Sequence, residues 1–162
     1  MAGYRSFTLD FLEILLERAR GAERKRHHLN PHASYEEPCQ RLFNAMTRDS
    51  YIRPHRHNDS QGAETIVAIR GNMAVVVFDD DGDVIAVEPF DVGASALAAG
   101  VEVTAGSWHT VVALTREAVM LELKGGPFDP EAKFPAPWAP KEGGSDAMAY
   151  LKELRRECLS AP

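Results

Sequence analysis

Two histidines stand one residue apart in the segment YIRPHRHND, at positions 55 and 57. In an extended strand residues i and i+2 project to the same face, so His55 and His57 can point inward together. Glu64 follows seven residues after His57 and opens an apolar run. A turn through NDSQGA would return it beside the pair. His109 comes much later, in AGSWHTVVAL, on a separate strand. Three imidazoles and one carboxylate converging inside a sheet protein make a site for one divalent metal.

Physical chemistry favours a cation over an empty polar pocket. Inward imidazoles and a carboxylate displace apolar core and need partners to offset their lost hydration. Four protein ligands on an octahedral ion leave two positions for water or substrate, which suits Lewis-acid or oxygen chemistry. The imidazoles bind only when neutral, so occupancy should fall as the pH drops through the histidine range. A lone H-x-H pair is weak evidence of a metal. The glutamate and the GSWH segment strengthen it.

Arg53 and Tyr51 share the alternation parity of His55 and His57. Arg53 is a candidate clamp for an anionic substrate, because its fork matches carboxylate or phosphate. Arg41 is another. Tyr51 is a candidate pocket hydroxyl, with a packing role as the plainer reading. Trp108 should point away from His109 in a regular strand. The DDDGD segment at 79–83 reads as a hairpin turn, since the residues a calcium loop needs as Gly and Glu are Val84 and Phe90.

The positioning elements follow from hydrophobic periodicity. Phe11, Leu12, Leu15, Leu16 and Ala19 share one face of a helix over 9–20, capped by Thr8 or Asp10. Residues 22–37 are polar, rich in Arg and His, and read as loop. Short β-prone runs then occur at 40–46, 51–57, 63–71, 73–79, 84–90, 101–106, 108–115 and 118–124. No helix intervenes, which predicts an all-β antiparallel sandwich or barrel. Residues 125–144 hold five of the ten prolines and read as an irregular wrap packed through Phe128, Phe134 and Trp138. A helix over 146–158 closes the chain. The expected organisation is an N-terminal helix and loop over 1–37, a barrel over 38–126, and a wrap with helix over 127–162.

HRHNDSQGAETIVAIRG resembles the first cupin motif, an H-x-H followed by a glutamate and, further on, a glycine, here His55, His57, Glu64 and Gly71. The gap from His57 to Glu64 is longer than the commonest cupin spacing. GVEVTAGSWHTVVA resembles the second motif through Gly100, Gly106 and His109. It carries Ala105 and Ala113 where proline and asparagine are usual. The resemblance implies a jelly-roll barrel with one divalent transition metal, Fe, Mn, Zn, Ni or Co, on the four ligands. The whole chain is similar to the WbuC family of cupin-fold metalloproteins, through the NPH around Asn30 and His32, QRLF at 40–43, YIRPHRH, GSWH, MLELKGGPFDP at 120–130 and both helical ends. That likeness implies a place for Asn30 and His32 in the pocket, with His32 a candidate general base. It hints at a sugar-like ligand, because members are often encoded with cell-surface polysaccharide genes.

Composition sets the remaining bounds. The 162 residues fit one domain, 44% hydrophobic and 26% charged. The net charge of -6 disfavours a nucleic-acid partner, despite the basic cluster Arg24, Lys25 and Arg26. No run of 18 apolar residues predicts a membrane span. Two distant cysteines, Cys39 and Cys158, suggest no disulfide scaffold. A cytoplasmic homodimer is expected. The leading function is a metal-dependent enzyme of isomerase, epimerase or oxygenase type on a small polar, sugar-like or anionic ligand. A non-catalytic binding or sensing domain and a purely structural metal are the alternatives.

Overall fold

The structure, a computed structural model, describes residues 3–58, 62–93 and 97–160. The middle of the turn expected at NDSQGA, residues 59–61, lies outside the described residues.

Helix α1 (Leu9–Gly21) buries Leu12, Leu15, Leu16 and Ala19, the stripe its periodicity marks. Thr8 caps it by accepting a hydrogen bond from the Phe11 amide at 3.2 Å. Ten strands follow. They are β1 (Arg26–Leu29), β2 (Cys39–Thr47), β3 (His55–His57), β4 (Glu64–Arg70), β5 (Met73–Phe78), β6 (Val84–Phe90), β7 (Gly100–Val103), β8 (Trp108–Ala113), β9 (Glu117–Gly125) and β10 (Lys133–Pro135). Helix α2 (Ala147–Ser160) ends the fold. The strands form two five-stranded sheets, ordered β1-β2-β9-β4-β7 and β10-β3-β8-β5-β6. All recorded pairings are antiparallel, and the result is a jelly roll flanked by two helices.

Strand β1 falls inside the segment expected as loop, and β10 inside the irregular wrap. Both are short edge strands of mixed polarity, so they carry no alternation strong enough to read. They exist because β2 and β3 offer them open edges. The extended run at 51–57 enters a ladder only at His55, after Pro54, which has no amide hydrogen to give.

The two helices explain why several strands are apolar on both faces. Helix α1 packs on Phe43, Ala45 and Val119 outside the first sheet. Helix α2 and Ala136 to Ala139 cover Ala74, Val76, Phe78, Trp108 and Val112 outside the second. Trp108 therefore sits outside the sheets, as its parity predicts. Its indole N–H donates to Asp80 at 2.9 Å. Asp79 of the hairpin turn accepts three backbone amides, from Asp81, Gly82 and Asp83, which leaves that carboxylate occupied as a turn device.

Between the sheets the inward rows share one gradient. Strand β4 runs Ala68, Ile66, Glu64. Strand β8 runs Ala113, Val111, His109. Strand β9 runs Ala118, Met120, Glu122, Lys124. The first residues of each row belong to the central apolar core with Met46, Met73, Val75 and Phe90. The last are ionisable, so one end of the jelly roll is a sealed floor and the other a polar mouth.

Gly71 turns β4 into β5 with φ +74°, and a Cβ there would stand 2.4 Å from the Glu117 carbonyl oxygen. Gly106, φ +78°, precedes β8 and donates its amide to the His57 carbonyl at 3.0 Å. That bond ties the start of the His109 strand to the H-x-H strand.

Candidate metal centre

The four residues singled out by spacing meet at the polar mouth. His55 and His57 lie on β3, His109 on β8, and Glu64 opens β4 in the facing sheet. All four are buried, and one donor atom from each lies within 4.8 Å of the others. Glu64 Oε2 is 3.4 Å from His57 Nε2 and 3.3 Å from His109 Nε2.

Hydrogen bonding fixes which ring nitrogens face the centre. His55 Nδ1 lies 3.0 Å from the Arg53 carbonyl and His109 Nδ1 lies 2.9 Å from the Ser107 carbonyl. A carbonyl only accepts, so each Nδ1 carries the proton and each Nε2 presents a lone pair. Burial holds the His55 imidazole well below its ordinary value, reinforced by the charges of Lys133 and His109. Burial also lowers His57, against the pull of Glu64. Burial alone would raise Glu64, but the neighbouring Glu122, His109 and His57 side chains outweigh it and hold the carboxylate well below its ordinary value.

Lone pairs and an anion therefore crowd a dry space. Glu64 Oε2 and His57 Nδ1 are buried with no hydrogen-bond partner. Such orphaned acceptors are costly unless something positive sits among them. The N3O donor set fits one divalent transition metal.

Other candidates are placed elsewhere. Tyr51 packs under α2 and donates its hydroxyl to the Pro140 carbonyl at 2.9 Å. Its parity with His55 breaks because the chain is not yet in a ladder at 51. The Arg53 guanidinium donates to the Ala136 carbonyl at 2.5 Å, so Arg53 meets the centre through its own carbonyl instead. Arg41 pairs with Glu37. His32 Nδ1 sits against the backbone of Arg41, where β1 has ended and left β2 uncovered. Its Nε2 is buried without a partner, as is Asn30 Oδ1, and both residues line a side cavity of about 230 Å³ with Tyr35. Arg24 and Arg26 share Glu142 as their ion-pair partner.

Three charged residues beside the centre escaped the sequence reading. Glu122 and Lys124 project inward from β9 and pair at 3.1 Å. Burial and the adjacent Glu64 carboxylate push Glu122 up to about 8, against Lys124. Lys133 on β10 is the cross-strand partner of His57. The run AVMLELK does alternate, but α1 covers the face bearing Val119 and Leu121. The polar residues are therefore the inward ones, the reverse of a sheet with a wet outer face.

Comparison with known proteins now bears on this arrangement. A family described as a domain of unknown function, DUF6016, matches residues 7–89. The chain belongs to that family. The match runs from α1 into β6 and takes in His55, His57 and Glu64 of the DUF6016 chain. No curated protein matches its sequence. In structure it is similar to protein SO0799 from Shewanella oneidensis, with TM-score 0.57 and 10% identity over 83% of this chain and 86% of that one. It is similar to a mutant of Bacillus subtilis oxalate decarboxylase OxdC, with TM-score 0.51 and 18% identity over 68% of this chain and 27% of that one. It is also similar to the capsular polysaccharide assembling protein CapF from Staphylococcus aureus, with TM-score 0.51 and 15% identity over 66% and 29%. The DUF6016 chain thus spans under a third of the length of the latter two. These likenesses establish the fold, a cupin-type jelly roll.

Proposed function

We propose that His55, His57, Glu64 and His109 hold one divalent transition metal, and that this centre binds or acts on a small polar, sugar-like metabolite in cell-surface polysaccharide metabolism. The observation that carries the metal is the convergence of four buried donor atoms from three strands in two facing sheets. The sugar-like ligand rests on the motifs shared with the WbuC family, of which we take the chain to be a relative. CapF, described as assembling capsular polysaccharide, lies in the same direction.

A bound metal supplies Lewis acidity that polarises a carbonyl or hydroxyl oxygen. The chain's own residues do the rest. The Arg53 and Ser107 carbonyls orient His55 and His109. The floor of Ile66, Val111 and Met120 excludes water beneath the centre. Strand β6 ends the second sheet with Val84 and Ile85 exposed, an edge suited to the expected homodimer.

The test is thermal denaturation of metal-loaded and metal-stripped protein against a panel of nucleotide sugars and free sugars. A rise in midpoint with one class, present only with metal, supports the reading. No rise with any of them rejects the sugar-like ligand and leaves the metal to be judged on its own.

A further inference from the structure

The polar mouth holds two lysines, and they differ in one respect. Lys124 is buried and already paired with Glu122 at 3.1 Å. Lys133 is exposed as a residue, although the protein around its ammonium desolvates it and lowers it from its ordinary value, and among the described residues it forms no ion pair. Its surroundings are nonetheless dense, and it feels the charges of Glu122, Glu64, Lys124 and Arg26. Arg26 is itself satisfied by Glu142 at 2.6 Å.

The backbone fixes where Lys133 stands. Strand β10 pairs Lys133 with His57 and Pro135 with His55. Cross-strand partners project to the same face, so Lys133 shares the face of the two histidines. The strand is held at both ends, by the Asn58 amide on the Ala132 carbonyl at 3.0 Å and the Ala136 amide on the Pro54 carbonyl at 2.8 Å.

Charge balance then points to the ligand. With Glu122 fully ionised, Glu64 and Glu122 cancel Lys124 and Lys133. A divalent ion at the centre then adds a double positive charge that these four side chains do not compensate. An anion arriving from solvent meets that charge and one ammonium without an ion-pair partner on the same face. We propose that Lys133 anchors an oxyanion group of the ligand, a carboxylate or a phosphate, at the mouth of the metal centre. This rests on the metal reading above. Lysine suits the task as a compact charge on a flexible stem that can follow the ligand.

The test uses the full chain loaded with Co(II), whose visible absorption reports its coordination. Wild type, Lys133→Gln and Lys133→Arg are first assayed for bound cobalt, then titrated with inorganic phosphate and separately with acetate. The expected result is equal cobalt in all three. Anion affinity should fall about tenfold in Lys133→Gln and be largely kept in Lys133→Arg. The anion with the larger loss names the group Lys133 receives. Equal affinity in wild type and Lys133→Gln overturns the proposal. So does a cobalt-loaded wild type whose spectrum and affinity respond to neither anion. Failure of wild type to take up cobalt is a different outcome, since it removes the metal reading and this inference falls with it.

Discussion

His55 and His109 are cross-strand partners between β3 and β8, with ring centroids 4.6 Å apart. Each donates its Nδ1 hydrogen to the carbonyl two residues upstream in its own strand, Arg53 and Ser107 respectively. The same local device is thus used twice. It leaves both Nε2 atoms free of the backbone, with His109 Nε2 3.3 Å from Glu64 Oε2, without needing a second side chain. The orientation of two ligands is therefore written into the backbone, which substitutions of neighbouring side chains leave in place.

Arg53→Ala should leave metal content unchanged and lower stability by about 1–2 kcal/mol, through loss of the hydrogen bond to the Ala136 carbonyl. Urea denaturation and metal analysis on the same sample check this. A folded variant that has lost its metal would put the guanidinium at the centre instead.

Gly71→Ala should destabilise the fold by about 1–3 kcal/mol, because the residue sits at positive φ and its new Cβ meets backbone. Gly62→Ala is the comparison. Gly62 has φ +66° but open space around it, so only the left-handed strain of about 1 kcal/mol applies. Thermal midpoints for the two variants should fall in that order, and equal losses would deny the clash with the Glu117 carbonyl.

Glu142 gives the clearest pH dependence away from the centre. Burial would raise its pKa, but the hydrogen bond from Arg24 and the charge of Arg26 outweigh it and hold the carboxylate below the ordinary 4.5. In acid the unfolded chain therefore binds the proton more readily. The stability contributed by Glu142 is present above pH 4.5 and lost as the pH falls toward the depressed value. Glu142→Gln should flatten this part of the acid limb when urea midpoints are compared across the range. An unchanged slope would show that the two arginines do not depress Glu142.

Much of this was legible in the chain. The cluster of His55, His57, Glu64 and His109 could be expected because strands enforce a period of two and because the three histidines fall on inward parity beside apolar residues. Helix α1 showed its stripe and its Thr8 cap. Strands β5 and β8 showed themselves as β-prone runs, MAVVV and TVVA. Less legible was anything that depends on a partner distant in sequence. Strand β10 has three residues and no pattern, and it exists only because β3 presents an edge. Lys133 could not be placed beside His57 without that pairing. Nothing in the sequence marks Glu122 and Lys124 as inward-facing, because that depends on α1 covering the opposite face of β9. Tyr51 and Arg53 were assigned by extending a strand's parity through Pro54, where no ladder runs.

The central claim is that three histidines and one glutamate form a metal site. The direct measurement is metal content per chain, on protein purified without a histidine tag or added metal. Wild type is compared with His57→Ala, both checked by circular dichroism for an intact sheet fold. The expected result is close to one transition-metal ion per wild-type chain. In the folded variant most of that metal should be gone, with affinity reduced by at least about 10–100-fold. Wild-type protein that holds no metal and takes up none when several ions are offered would contradict the claim, as would near-stoichiometric metal in His57→Ala.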